Sequence, residues 1–214
     1  MRKLLVFLLV CVIFTGCGMQ EKAVPLTPEE IDQVNAAFDC LIEVSQEGQA
    51  EPKLQVNPIS CFFTSFYSEP ARLHLGEFLM YCPIGSTLED GDAEEYRKVL
   101  EAVEVDPELF PLPSDYVVPV HRYRKAEVSA LLTQYAGITV EDLVTLEGTV
   151  YLEEYDSFYN FTSDFGPGIF VCAGGEKAGD TLRLWSEEGE DGTQKVLIMK
   201  EENGRYLIQS FQQE

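Results

Sequence analysis

Apolar residues recur at helical spacing through the first half of the chain and in short strand-like runs near its end. Thr27-Pro28-Glu29-Glu30 has the form of a capping box with proline at the first helical position. Ile31, Val34, Phe38 and Leu41 follow on one face, so a helix is expected from there to about Gln46. A second is expected after Asn57-Pro58, carrying Ile59, Phe62, Phe63, Phe66 and Tyr67. Leu75, Phe78, Leu79 and Cys82 suggest a third, stopped at Pro83, and Asp92 opens a fourth with Tyr96, Val99, Leu100 and Val103. Prolines 107, 111, 113 and 119 mark an irregular or extended crossing segment. Residues 126–135 read as helix again, with Gly137 as the stop.

From about residue 150 the period changes. Segments 169–172, 181–185, 195–200 and 205–211 are β-rich, and Gly174-Gly175, Asp191-Gly192 and Asn203-Gly204 lie between them. Asn-Gly suits the positive φ angles of a type I′ hairpin. The pattern predicts an α+β fold: a helical N-terminal half followed by a four-stranded antiparallel β-meander, in the manner of a cystatin- or NTF2-like sheet around a helix. One folded domain is expected over 27–214, helix-rich over 27–136 and sheet-rich over 150–214.

Residues 1–17, MRKLLVFLLVCVIFTGC, begin with a short basic stretch and continue with an apolar run from Leu4 to Phe14. That run is too short to span about 30 Å of hydrocarbon as a stable helix. It closes on Phe14-Thr15-Gly16-Cys17, which resembles the lipobox of bacterial lipoproteins, with Phe14 where leucine is usual. The resemblance implies a signal peptide over 1–16, lipidation of Cys17, a lipid-anchored tether over 17–26 and residence on the extracytoplasmic face of a cell membrane. An ordinary secretory signal cut elsewhere is the alternative, and it too implies export.

Composition sharpens this. The 214 residues include 37 acidic and 15 basic ones, a formal charge of −22. Loss of residues 1–16 removes Arg2 and Lys3, leaving 13 basic residues against 37 acidic ones, net −24. A chain this acidic lacks the basic face that nucleic acid requires. Four cysteines remain beyond Cys17. Export permits disulfides, and helical projection places Cys40 about 130° from the apolar stripe of the first helix. A single bridge from Cys40 to Cys61 or to Cys82 is therefore a candidate; buried thiols, with Cys172, are the other reading.

Chemistry-bearing motifs are sparse. No CxxC, HExxH, GxSxG or SxxK occurs, and no cofactor or metal site is expected. Gly174 to Gly179 has P-loop glycine spacing, but Asp180 stands where the phosphate-binding lysine belongs. Asp90, Asp92 and Glu94 alternate like calcium ligands, yet Glu95 replaces the sharp-turn glycine, and a solvated helix start explains them. Arg122, Arg124 and Lys125, beside His121, are expected to pair with the acidic segment 89–108.

The densest aromatic segment, 151–168, is similar to stretches in uncharacterised lipoproteins of anaerobic bacteria, a likeness that implies no activity. Tyr155, Tyr159 and Asp164 are its candidate ligand contacts, although residues 151, 155, 158 and 159 could equally share a buried helical face. Three functions are consistent with these features. The first is a membrane-anchored binding or docking domain for an envelope glycan, peptide or protein. The second is an envelope hydrolase or transferase using a carboxylate pair such as Asp156 and Asp164. The third is a structural or assembly role.

Overall fold

The computed structural model describes residues 22–44, 52–80, 82–162 and 166–214. In chain order the elements are β1 (Val24–Pro25), α1 (Pro28–Phe38), β2 (Leu41–Val44), β3 (Lys53–Val56), α2 (Leu75–Met80), β4 (Ser86–Thr87) and α3 (Ala93–Ala102). Then come β5 (Val120–Arg124), α4 (Lys125–Ala136), β6 (Val150–Leu152), β7 (Ser157–Phe161), β8 (Gly174–Ala178), β9 (Thr181–Trp185), β10 (Lys195–Glu202) and β11 (Arg205–Gln213). Strands dominate. They form a five-stranded sheet in the order β1-β8-β9-β10-β11, a four-stranded sheet β4-β5-β7-β6, and a β2-β3 hairpin, with antiparallel pairing throughout.

The α+β order expected from the sequence, with its helical half and four-stranded meander, is therefore wrong, and the cystatin- or NTF2-like comparison goes with it. The region 27–136 is not helix-rich, for three physical reasons. First, α1 begins at the Thr27 capping box but ends at Phe38 rather than near Gln46. Asn57 donates its side-chain amide to the carbonyls of Ala37 and Asp39, satisfying the helix end from 18 and 20 residues away. The chain then turns into β2, so the helical projection of Cys40 and Leu41 has no meaning. Second, the residues after Asn57 form a short 3-10 turn, Pro58–Phe63, and Tyr67 instead pairs with Phe211 of β11 at the edge of the five-stranded sheet. Third, Val120–Arg124 is a strand of a second sheet, paired with β4 and β7.

The β-rich end differs as well. Segment 169–172 is not a strand; Gly174 and Gly175, expected as a turn, lie inside β8. Both glycines are needed there. A Cβ on Gly174 would lie 2.5 Å from the Trp185 indole nitrogen on β9, and one on Gly175 would lie 2.7 Å from Leu184. The Asn203-Gly204 turn between β10 and β11 has φ of 53° and 77° at its two central residues.

The larger core fills the space between the five-stranded sheet and α1, α2, α4 and the 3-10 turn. Phe38, Phe63, Phe170 and Phe211 meet there, with ring centroids 5.3–6.1 Å apart. A smaller core joins α3 to the other face of the four-stranded sheet through Tyr96, Val99, Leu100, Val120 and Tyr159. Strand β5 alternates between the two: Tyr123 enters the larger core and Val120 the smaller. Phe211→Ala is expected to lower unfolding free energy by about 3–5 kcal/mol, as a deeply buried ring is lost. Urea unfolding followed by circular dichroism measures it.

Candidate functional site

The sequence-predicted contacts lie on the β6-β7 hairpin. Residues 153–155 make a 3-10 turn, and Asp156, at φ 45°, reverses the chain into β7. This is a strand–turn–strand arrangement, so residues 151, 155, 158 and 159 share no helical face. Tyr159 is fully buried and has no surface to offer a ligand. Its hydroxyl donates to Glu95 Oε1 at 2.5 Å, while Arg122 on β5 donates to Glu95 Oε2 at 2.8 Å. Burial, and then the bond to the Glu95 carboxylate, push the Tyr159 phenol well above its ordinary range. With both oxygens engaged, Glu95 fastens α3 to the sheet.

Tyr155 is half-buried, with Lys98 Nζ 5.7 Å from its ring centre, and Lys98 is itself held by Glu154. Asp156 accepts from the Tyr151 hydroxyl at 2.7 Å. Asp164 and Cys17 lie outside the described residues, so neither the Asp156–Asp164 pair nor the lipid site has a geometry here. Of the basic cluster, Arg122 does reach the acidic segment through Glu95 and, at 3.7 Å, Asp92. Lys125 pairs instead with Glu141 at 2.7 Å, which holds that carboxyl down to about 2. Among the described residues no group of three or more His, Cys, Asp or Glu side chains is arranged to hold a metal ion.

Cys40 sits in the turn between α1 and β2, half-buried, whereas Cys61 and Cys82 are buried side by side in the larger core. No disulfide links Cys40, Cys61, Cys82 or Cys172 in the structure.

Sequence reasoning missed a groove of about 550 Å³ beside α3. Thr87 and Val120 come from β4 and β5, Leu88, Glu89 and Asp90 from the stretch between β4 and α3, and Tyr116 from the proline-rich segment. That segment is not a loose crossing. Tyr116 packs edge-on against Phe110 at 4.8 Å and against Phe161 of β7 at 5.9 Å. The Asp90 carboxylate accepts from both the backbone N–H and the hydroxyl of Ser114, each at 3.1 Å, and so joins the two 3-10 turns that flank the groove. Leu112 and the almost fully exposed Val117 stand on the same segment. The result is an open concavity with an apolar floor and acidic edges. The one available signal was the clustering of four prolines around Tyr116 with aspartates on either side.

Comparison with known proteins finds no matching family model, no similar curated protein and no similar solved structure.

Two outcomes are expected from this region. Glu95→Ala should cost about 3–5 kcal/mol, because the partly buried Arg122 guanidinium keeps only Asp92, at 3.7 Å, and the buried Tyr159 hydroxyl loses its acceptor. The double variant Glu95→Leu/Arg122→Met should recover only part of that loss in urea titrations, since the guanidinium is gone but the Tyr159 hydroxyl still lacks its acceptor. His121, whose ring lies 3.3 Å from the Thr87 hydroxyl, has its pKa lowered by burial, only partly offset by a bond to the Thr162 backbone. Charging it therefore costs more in the folded state than in the unfolded one. Its contribution is complete above its ordinary value near 6.5 and is lost as pH falls below that. Unfolding free energies measured from pH 7 to 5 should decline, and the decline should be shallower in His121→Gln.

Proposed function

We propose that this chain is a membrane-anchored extracytoplasmic lipoprotein whose folded part docks a cationic peptide segment of an envelope protein. The observation that carries the reading is the N-terminal pattern ending in Phe14-Thr15-Gly16-Cys17. Two acyl chains supply the double signal that stable anchoring needs. Val24, the first residue of β1, follows Cys17 by seven positions, which reach at most about 24 Å when extended. The five-stranded sheet would thus stand close to the bilayer at its β1 edge.

The net charge of −24 and the Glu89 and Asp90 edges of the groove favour a positively charged occupant. The apolar floor of Leu88, Tyr116 and Val120 suits a peptide that alternates basic and apolar side chains. An envelope glycan would stack on Tyr116 without needing the carboxylates.

Cell fractionation tests the anchor. The wild-type chain should be found in membranes with an acylated Cys17 at its N-terminus, and Cys17→Ala should move it to the soluble fraction. A soluble wild-type product beginning beyond Cys17 overturns the anchor. For the groove, titration calorimetry with Lys/Arg-rich peptides should show binding that weakens with salt and falls about tenfold in Glu89→Gln/Asp90→Asn. Equal binding by that variant, or binding to glycans alone, overturns the peptide reading.

A further inference from the structure

Cys61 and Cys82 reach the same point of the larger core from separate segments. Cys61 belongs to the 3-10 turn Pro58–Phe63, and Cys82 stands two residues past the end of α2, its N–H bonded to the Leu79 carbonyl. Both are almost completely buried, and their thiols are hydrogen-bonded to each other. The surroundings hold them there. The rings of Phe62 and Phe78, one from each segment, meet edge to face at 5.0 Å. The Tyr123 side chain lies close enough to both sulfurs to sense their charge. Gly85 lets that ring in: a Cβ there would lie 2.4 Å from it.

We propose that Cys61 and Cys82 form the structural disulfide of this protein, closing the loop that runs from the 3-10 turn through α2. The bond goes beyond the docking function and does not depend on the lipid anchor. Two S–H bonds are lost and one S–S bond forms. The two electrons pass to a disulfide donor, such as oxidised glutathione or a thiol–disulfide exchange protein, which leaves as two thiols. One cysteine attacks the donor to give a mixed disulfide, and the other displaces the donor's second sulfur. The bond to Cys82, and then burial, push the Cys61 thiol well above its ordinary value, so little thiolate exists in the folded core. Both sulfurs are also almost completely buried, so the bond forms while the chain folds and is afterwards shielded from reductants.

The test is to unfold and reduce the full chain, refold it in a glutathione redox buffer, alkylate remaining thiols, and map non-reduced peptides by mass. The expected product joins the Cys61 and Cys82 peptides with loss of two hydrogens, leaving Cys40 and Cys172 alkylated. Its Tm should exceed that of the reduced protein by about 5–10 °C. Cys40→Ser and Cys172→Ser should keep the link, and Cys82→Ser should abolish the Tm difference. Mapping of the wild-type chain decides the matter even if Cys82→Ser does not fold. Alkylation of both Cys61 and Cys82 after refolding, or a bridge from either to Cys40 or Cys172, overturns the proposal.

Discussion

Strand β7 is buried along its first four residues, and that constraint organises much of the molecule. Ser157 to Asn160 face the larger core on one side and α3 on the other, yet three of these four side chains are polar. Each must find a partner inside the protein, because a buried polar group without one costs about 1–3 kcal/mol. Ser157 donates to the Tyr155 carbonyl, Tyr159 to Glu95, and Asn160 to the Gly76 carbonyl. These bonds reach the hairpin turn, α3 and α2 in turn. The strand thus fixes three neighbours by the need to satisfy its own polar atoms, not only by apolar contact.

Two consequences spread outward. Glu95 accepts from Tyr159 with one side-chain oxygen and from Arg122 of β5 with the other, which sets how α3 sits on the sheet. With α3 placed, the turn before it and the proline-rich segment close around the ends of β4 and β5, and the groove appears where they meet. On the other side, the bond from Asn160 to Gly76 holds α2 near β7. Gly76 also lies so close to Gly148 that a Cβ on it would sit 2.7 Å from that backbone. The position of Cys82 just past α2 follows from the same packing.

Legibility in the sequence divided along physical lines. Signals confined to neighbouring residues read correctly: the Thr27 capping box, the buried face of α3, the Gly137 stop of α4 with its φ of 70°, and the Asn203-Gly204 turn. Signals that depend on distant partners did not. Nothing near Phe38 announces that Asn57 will cap the end of α1. Tyr151, Tyr155, Phe158 and Tyr159 fit a helical period by coincidence, because a short turn at Asp156 resets the strand alternation between them. Gly174 and Gly175 read as a turn because glycine is ambiguous; only the Trp185 ring and the Leu184 side chain on the next strand explain them. For the site, the aromatic richness of 151–168 pointed to contact surface, but Tyr159 was claimed by the core. The groove was hidden because its walls come from segments more than twenty residues apart.

The charge distribution carries the last step. Among the described residues most basic side chains are already spent on nearby carboxylates: Arg72 on Glu69, Arg97 on Glu101, Lys98 on Glu154, Arg122 on Glu95, Lys125 on Glu141, Lys177 on Glu201, Arg183 on Glu214 and Lys200 on Asp180. Apart from Arg122–Glu95, exposed pairs of this kind add little stability, but they leave the outward field almost wholly acidic. Near an anionic bilayer such a field repels only within about a Debye length, roughly 8 Å at physiological salt. The proposed tether permits about 24 Å. Repulsion would therefore set the inner limit of the domain's position and the tether the outer one. Between them the acidic groove would stay wet and open to the proposed cationic segment, drawn in by the same charge that would keep the lipid surface away.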